Sequence, residues 1–67
     1  MNANRQILKS ALNTGKLISF LTRNNTFAER NVKIVYLCPD DVCNKDFIFE
    51  LANGQRYSNF ENNITLI

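Results

Sequence analysis

The sequence predicts a mostly β domain, with one N-terminal helix followed by about five short antiparallel strands closing into a small barrel. Three observations carry that expectation. Apolar residues recur at helical spacing only ahead of Thr14-Gly15, and beyond that point they alternate with polar residues in short runs. Asn53-Gly54 then joins two of those runs, and this pair suits a tight type I′ hairpin turn, which needs positive φ at both central residues.

The helix is expected over residues 3–13. Asn2 or Asn4 can cap it by accepting a backbone N–H of the first turn. Ile7, Leu8, Ala11 and Leu12 form one apolar stripe, while Arg5, Lys9 and Asn13 fall on a polar face. Gly15 ends the helix, because glycine takes the left-handed conformation past a helix end at no steric cost.

From Lys16 the composition turns to β-branched and aromatic residues. Strand one is expected over 16–23, a turn at Asn24-Asn25-Thr26, and strand two over 27–37, where Val32, Ile34 and Tyr36 alternate with Asn31, Lys33 and Val35. CPDDVCN breaks the pattern: Pro39 cannot donate to a sheet ladder, and Asp40-Asp41 suit a turn. Strand three follows over 45–51, with Phe47, Phe49 and Leu51 on one face and Asp46, Ile48 and Glu50 on the other. Strands four and five fall over 55–57 and 64–67, either side of an irregular stretch. Barrel closure would remove exposed sheet edges. Its core would comprise Leu8, Leu12, Ile18, Phe20, Val32, Ile34, Phe47, Phe49, Leu51, Phe60, Ile64 and Leu66, with the helix over one mouth. A twisted sheet with the helix on one face is the alternative.

At 67 residues the chain makes one domain, and a chain of this size buries only about 60 % of the surface it exposes when unfolded. No apolar run approaches the length of a membrane span, and the start does not read as a secretory signal, so a cytoplasmic home with reduced cysteines is expected. The net charge of +2 permits an anionic partner without requiring one. Asparagine occurs 11 times, which AT-rich coding sequence favours and which leans toward a low-GC bacterial, phage or plasmid source.

Catalysis lacks its usual parts. There is no histidine, so no Ser/His/Asp or Cys/His arrangement can be drawn, and two glycines make no phosphate loop. Cys38 and Cys43 are spaced more widely than a zinc knuckle and lack a second pair, so they are expected to flank a turn, reduced, metal-free and close enough to crosslink. No cofactor is expected. Arg23, Arg30, Lys33 and Arg56, with Tyr36 and Tyr57, are the candidate face for anions or nucleic acid, because guanidinium forks grip phosphate and aromatic faces stack on bases. Glu29, Glu50 and Glu61 lie within reach of the same surface. The final strand, NITLI, is a candidate edge for pairing with a second copy or another protein.

An N-terminal helix followed by GKLISFLTRN, then Glu29-Arg30, FIFEL, NGQR and a closing Ile-x-x-Ile, resembles the WYL-domain family of SH3-like modules. Phe47-Ile48-Phe49 stands where that family has its naming tripeptide, and the spacing from Arg56 to Phe60 is longer. The resemblance implies an SH3-like or Sm-like barrel and a ligand- or nucleic-acid-sensing role, with the family's basic residues falling at Arg30 and Arg56. The expected function is a non-enzymatic regulatory binding module that contacts nucleic acid through the basic and aromatic sheet face. A protein-interaction module, or a phage or plasmid inhibitor of a host protein, is the alternative.

Overall fold

The computed structural model describes residues 3–23, 27–39, 41–43 and 47–67. These form one helix, α1 (Ala3–Thr14), and six strands: β1 (Ile18–Leu21), β2 (Phe27–Val32), β3 (Ile34–Leu37), β4 (Ile48–Leu51), β5 (Arg56–Ser58) and β6 (Thr65–Leu66). The strands make two antiparallel sheets, ordered β2-β1-β6 and β3-β4-β5. The fold is therefore mostly β with an N-terminal helix, as expected, but the described strands do not close into a barrel. The expected turn at 24–26, Asn2, Asp40 and the first residues of the expected strand 45–51 lie outside the described residues.

Helix α1 ends where the sequence places it. Gly15 takes φ +75° and donates its N–H to the Ala11 carbonyl at 2.8 Å, a left-handed cap. The buried face differs from the expected stripe. Leu8 and Ala11 are buried and Leu12 is packed against the core, yet Arg5 is buried beside them and Ile7 is half exposed. Arg5 lies at i−3 and i−7 from Leu8 and Leu12, so the turn of the helix carries it onto the inner face. Asn4 lies inside the helix and does not cap it. Its Nδ2 donates instead to Asn59 Oδ1 and to the Ile64 carbonyl, each at 2.9 Å, which pins the helix start to the β5–β6 connection.

The expected strand 27–37 is two strands, broken at Lys33. Asn31 has φ +51°, and the β1–β2 register runs from Ile18↔Val32 to Phe20↔Glu29, placing an extra residue on β2. The Asn31 N–H is satisfied by Ser19 Oγ at 2.9 Å. The step from Phe20↔Glu29 to Leu21↔Phe27 places a further extra residue on β2, and a third irregularity lies between Ile34↔Leu51 and Tyr36↔Glu50, so Val35 is the extra residue on β3. Strict alternation fails there: Ile34 is buried while both Val35 and Tyr36 are exposed. On β4 the alternation holds, with Phe49 and Leu51 buried and Ile48 outward, and Phe47 is buried just before the strand.

Asn53-Gly54 does make a hairpin, although not the two-residue turn. Only Gly54, at φ +91°, is left-handed in that pair. Gly54 N–H donates to the Leu51 carbonyl at 3.0 Å, and Leu51 N–H to the Gln55 carbonyl at 2.9 Å. This is a three-residue loop whose last residue is the left-handed one. Asn53 serves through its side chain, Oδ1 accepting from Gln55 N–H at 2.9 Å.

The core joins both sheets and the helix: Leu8, Ala11, Ile18, Phe20, Ile34, Cys38, Phe47, Phe49, Leu51 and Ile64. Leu12, Val32 and Leu66 pack against it. Phe60 is not a core residue, being 71 % exposed. It rides on a turn in which the Asn62 side chain accepts from Ser58 N–H at 2.8 Å and Asn63, at φ +50°, reverses the chain into β6.

Candidate functional site

Cys38 and Cys43 form a disulfide, with their α-carbons 5.9 Å apart. The expectation that they are near enough to crosslink is met, and the expectation that they are reduced is not. The turn itself creates the proximity: Val42 N–H and Cys43 N–H both donate to the Pro39 carbonyl, at 3.1 and 2.9 Å. Arg5 closes over this loop from α1. Its two terminal nitrogens donate to the carbonyls of Cys38 and Cys43, each at 2.7 Å, and its Cζ lies 4.7 Å from the centroid of the Phe47 ring. Arg5 is buried, at 7 % exposure, and charged hydrogen bonds offset the cost of withdrawing its guanidinium from water. The sequence signal was available in the i, i+3, i+7 spacing of Arg5, Leu8 and Leu12, but an arginine there reads first as part of a solvated face.

The six residues expected to form a basic and aromatic face are dispersed. Tyr36 and Arg56 share a row on the outer face of β3-β4-β5, because Tyr36 opposes Glu50 and Glu50 opposes Arg56. Glu50 lies between them and takes Arg56 in a surface ion pair at 2.6 Å. Arg23, beyond the end of β1, donates to the Glu61 carbonyl. Arg30 is exposed on β2, and Lys33 is exposed at the break between β2 and β3. Tyr57 faces inward, opposite to its neighbour Arg56. Its ring meets Phe20 edge-on at 5.0 Å and Phe49 at 6.0 Å, and its hydroxyl donates to Glu29 Oε2 at 2.8 Å. Burial, then the hydrogen bond to Glu29 and the charge of that carboxylate, push the Tyr57 hydroxyl up to about 12. Glu29 also accepts from Asn53 Nδ2 at 3.2 Å, so one carboxylate on β2 ties the first sheet to the β4–β5 hairpin. Tyr57 is thus a structural residue. Nothing local marks that role, because its partner is 28 positions away.

A different site emerges between α1 and β6. A groove of about 500 Å³ lies there, with a mixed lining: Ile7, Ala11, Leu17, Ile18, Leu66 and Ile67 are apolar, and Gln6, Ser10, Lys16, Ser19 and Asn31 are polar. Ile7, Leu17 and Ile67 are each about half exposed or more, at 49, 52 and 75 %. β6 is an edge strand: β1 covers one side of it, and no described strand covers the other. Ile67 N–H donates inward to the Ser19 carbonyl at 3.0 Å. Antiparallel pairing alternates inward and outward backbone groups, so the N–H and C=O of Leu66 point away from β1 at the open edge. The sequence had marked NITLI as an edge, but not the helix wall that turns this edge into a groove.

No helix of the described residues is long and apolar enough to cross a membrane. No protein-family model, curated protein or solved structure matches this chain.

Proposed function

We propose that this chain is a small SH3-like binding module, non-enzymatic, that takes an extended segment of a partner protein along β6 and into the groove beside α1. The SH3-like reading rests on strand order. If β2 and β3 count as one strand bent at Lys33, the strands run in the order β6-β1-β2/β3-β4-β5, a four-stranded meander whose last strand in sequence returns to pair with the first. The observation that carries the binding mode is the outward backbone of Leu66 beside a groove of exposed apolar side chains. An added strand gains main-chain hydrogen bonds at such an edge, and alternate side chains fill the adjoining pocket. Lys16 in the lining favours a segment with an acidic residue next to its apolar ones. Dispersal of the basic and aromatic residues, with Arg56 held by Glu50 and Tyr57 turned inward, favours a protein partner over nucleic acid.

Selection from a displayed library of extended peptides tests this. Binders should carry alternating apolar residues, and Leu17→Asp or Ile67→Asp should weaken them by about tenfold or more without unfolding the protein. Binders indifferent to both substitutions would contradict the proposal. So would single-stranded oligonucleotide binding that weakens steeply with salt and is lost in Arg56→Ala.

A further inference from the structure

We propose that Cys38–Cys43 is a thiol–disulfide exchange site whose state is passed to helix α1 through Arg5. Three features converge on the loop. The disulfide closes a hexapeptide whose two end carbonyls are the acceptors of one guanidinium, each at 2.7 Å. That guanidinium belongs to the first turn of α1 and is buried against Phe47, so this contact ties the helix to the loop, while the Asn4 hydrogen bonds tie its start to the β5–β6 connection. Lastly, Cys38 is buried at 4 % exposure while Cys43, packed at the core's margin, is only partly buried, which makes Cys43 the side from which an incoming thiolate approaches.

The reactant is a dithiol. Its thiolate attacks Cys43 Sγ and forms a mixed disulfide, the Cys38–Cys43 bond breaks, and Cys38 leaves as a thiolate that takes a proton from solvent. The second thiol of the reductant then attacks its own sulfur in the mixed disulfide. Cys43 is released as a thiol, the reductant departs as a cyclic disulfide, and two electrons have passed to the protein. Once the covalent tie is broken, only the hydrogen bonds from the Val42 and Cys43 N–H groups to the Pro39 carbonyl hold the two carbonyls at the span of the guanidinium fork, a weaker restraint than the bond. Arg5 then loses its paired acceptors, and the first turns of α1 loosen. This device is independent of what the groove binds.

The test uses the full chain, oxidised and after treatment with dithiothreitol, with alkylation and mass measurement to count free thiols. Amide hydrogen exchange across residues 5–12 is the readout. Protection should fall by about tenfold or more on reduction, and the Cys38→Ser, Cys43→Ser double variant should match the reduced protein. In Arg5→Lys, which keeps the charge but loses the fork, oxidised protein should already exchange at close to the reduced rate and respond little to dithiothreitol. Free thiols in the air-purified protein would overturn the proposal. Unchanged α1 protection after full reduction would do the same, as would an equal response to reduction in Arg5→Lys.

Discussion

Arg5 shows how much a single side chain can carry in a small domain. A chain of this length is stable by only about 3–10 kcal/mol, and removing a buried charge's partner, or the charge itself, is among the larger single losses. Arg5→Met keeps the aliphatic bulk but strands the Cys38 and Cys43 carbonyls that the guanidinium now satisfies. We expect it to cost about 2–4 kcal/mol, read from the urea midpoint at unchanged slope. Tyr57 gives a pH prediction. Its hydroxyl is neutral in the fold up to about 12, against an ordinary value of 10.0. The folded state therefore holds the proton more tightly than the unfolded state, so this contribution is intact below pH 10 and drains away as pH rises from 10 toward 12. Tyr57→Phe should remove that alkaline loss from the stability profile. Neither role was legible in advance. Arg5 differs from a surface arginine only by the register of its helix, and Tyr57 depends on Glu29 from another sheet.

At the scale of elements the sequence spoke most clearly through its two glycines. Gly15 and Gly54 both have left-handed φ, and a Cβ at either would meet nothing within 4 Å. Substitution to alanine therefore tests backbone conformation alone. Gly15→Ala and Gly54→Ala should each cost about 1–2 kcal/mol, and Gly15→Asn should recover part of the loss, since asparagine tolerates this region. The hexapeptide loop is a third element. Chain-entropy reasoning for so short a closed loop gives the disulfide about 2 kcal/mol, and thermal unfolding of the Cys38→Ala, Cys43→Ala variant measures it. What the sequence concealed were the bulges. Two extra residues on β2 and one on β3 shift the pairing, and at the β3 bulge Val35 and Tyr36 are both exposed where strict alternation puts one of them inside. Hydrophobic pattern assumes an unbroken register, and a bulge is written in backbone angles that Asn31 permits but does not announce.

For the whole molecule, the mostly β architecture and nearly all of the aromatic core were readable, because Phe20, Phe47 and Phe49 sit in runs too short and too β-rich for a second helix. Phe60 was misread for want of a partner pattern: a lone aromatic in a turn looks the same whether it points in or out. The groove was the hardest feature to read, since it depends on α1 and β6 meeting from opposite ends of the sequence. The central claim is that the open edge of β6, beside the helix, is where a partner strand is added. The most direct measurement is hydrogen exchange at the Leu66 amide, with and without a selected extended peptide, followed in the same spectra as the other backbone amides. Strand addition predicts that Leu66, fast-exchanging in the free protein, becomes strongly protected in the complex, with shift changes clustered at Ile7, Leu17, Ile18 and Ile67. A Leu66 amide that still exchanges freely at saturating peptide, with the changes gathered instead on Tyr36, Ile48 and Arg56, would contradict it.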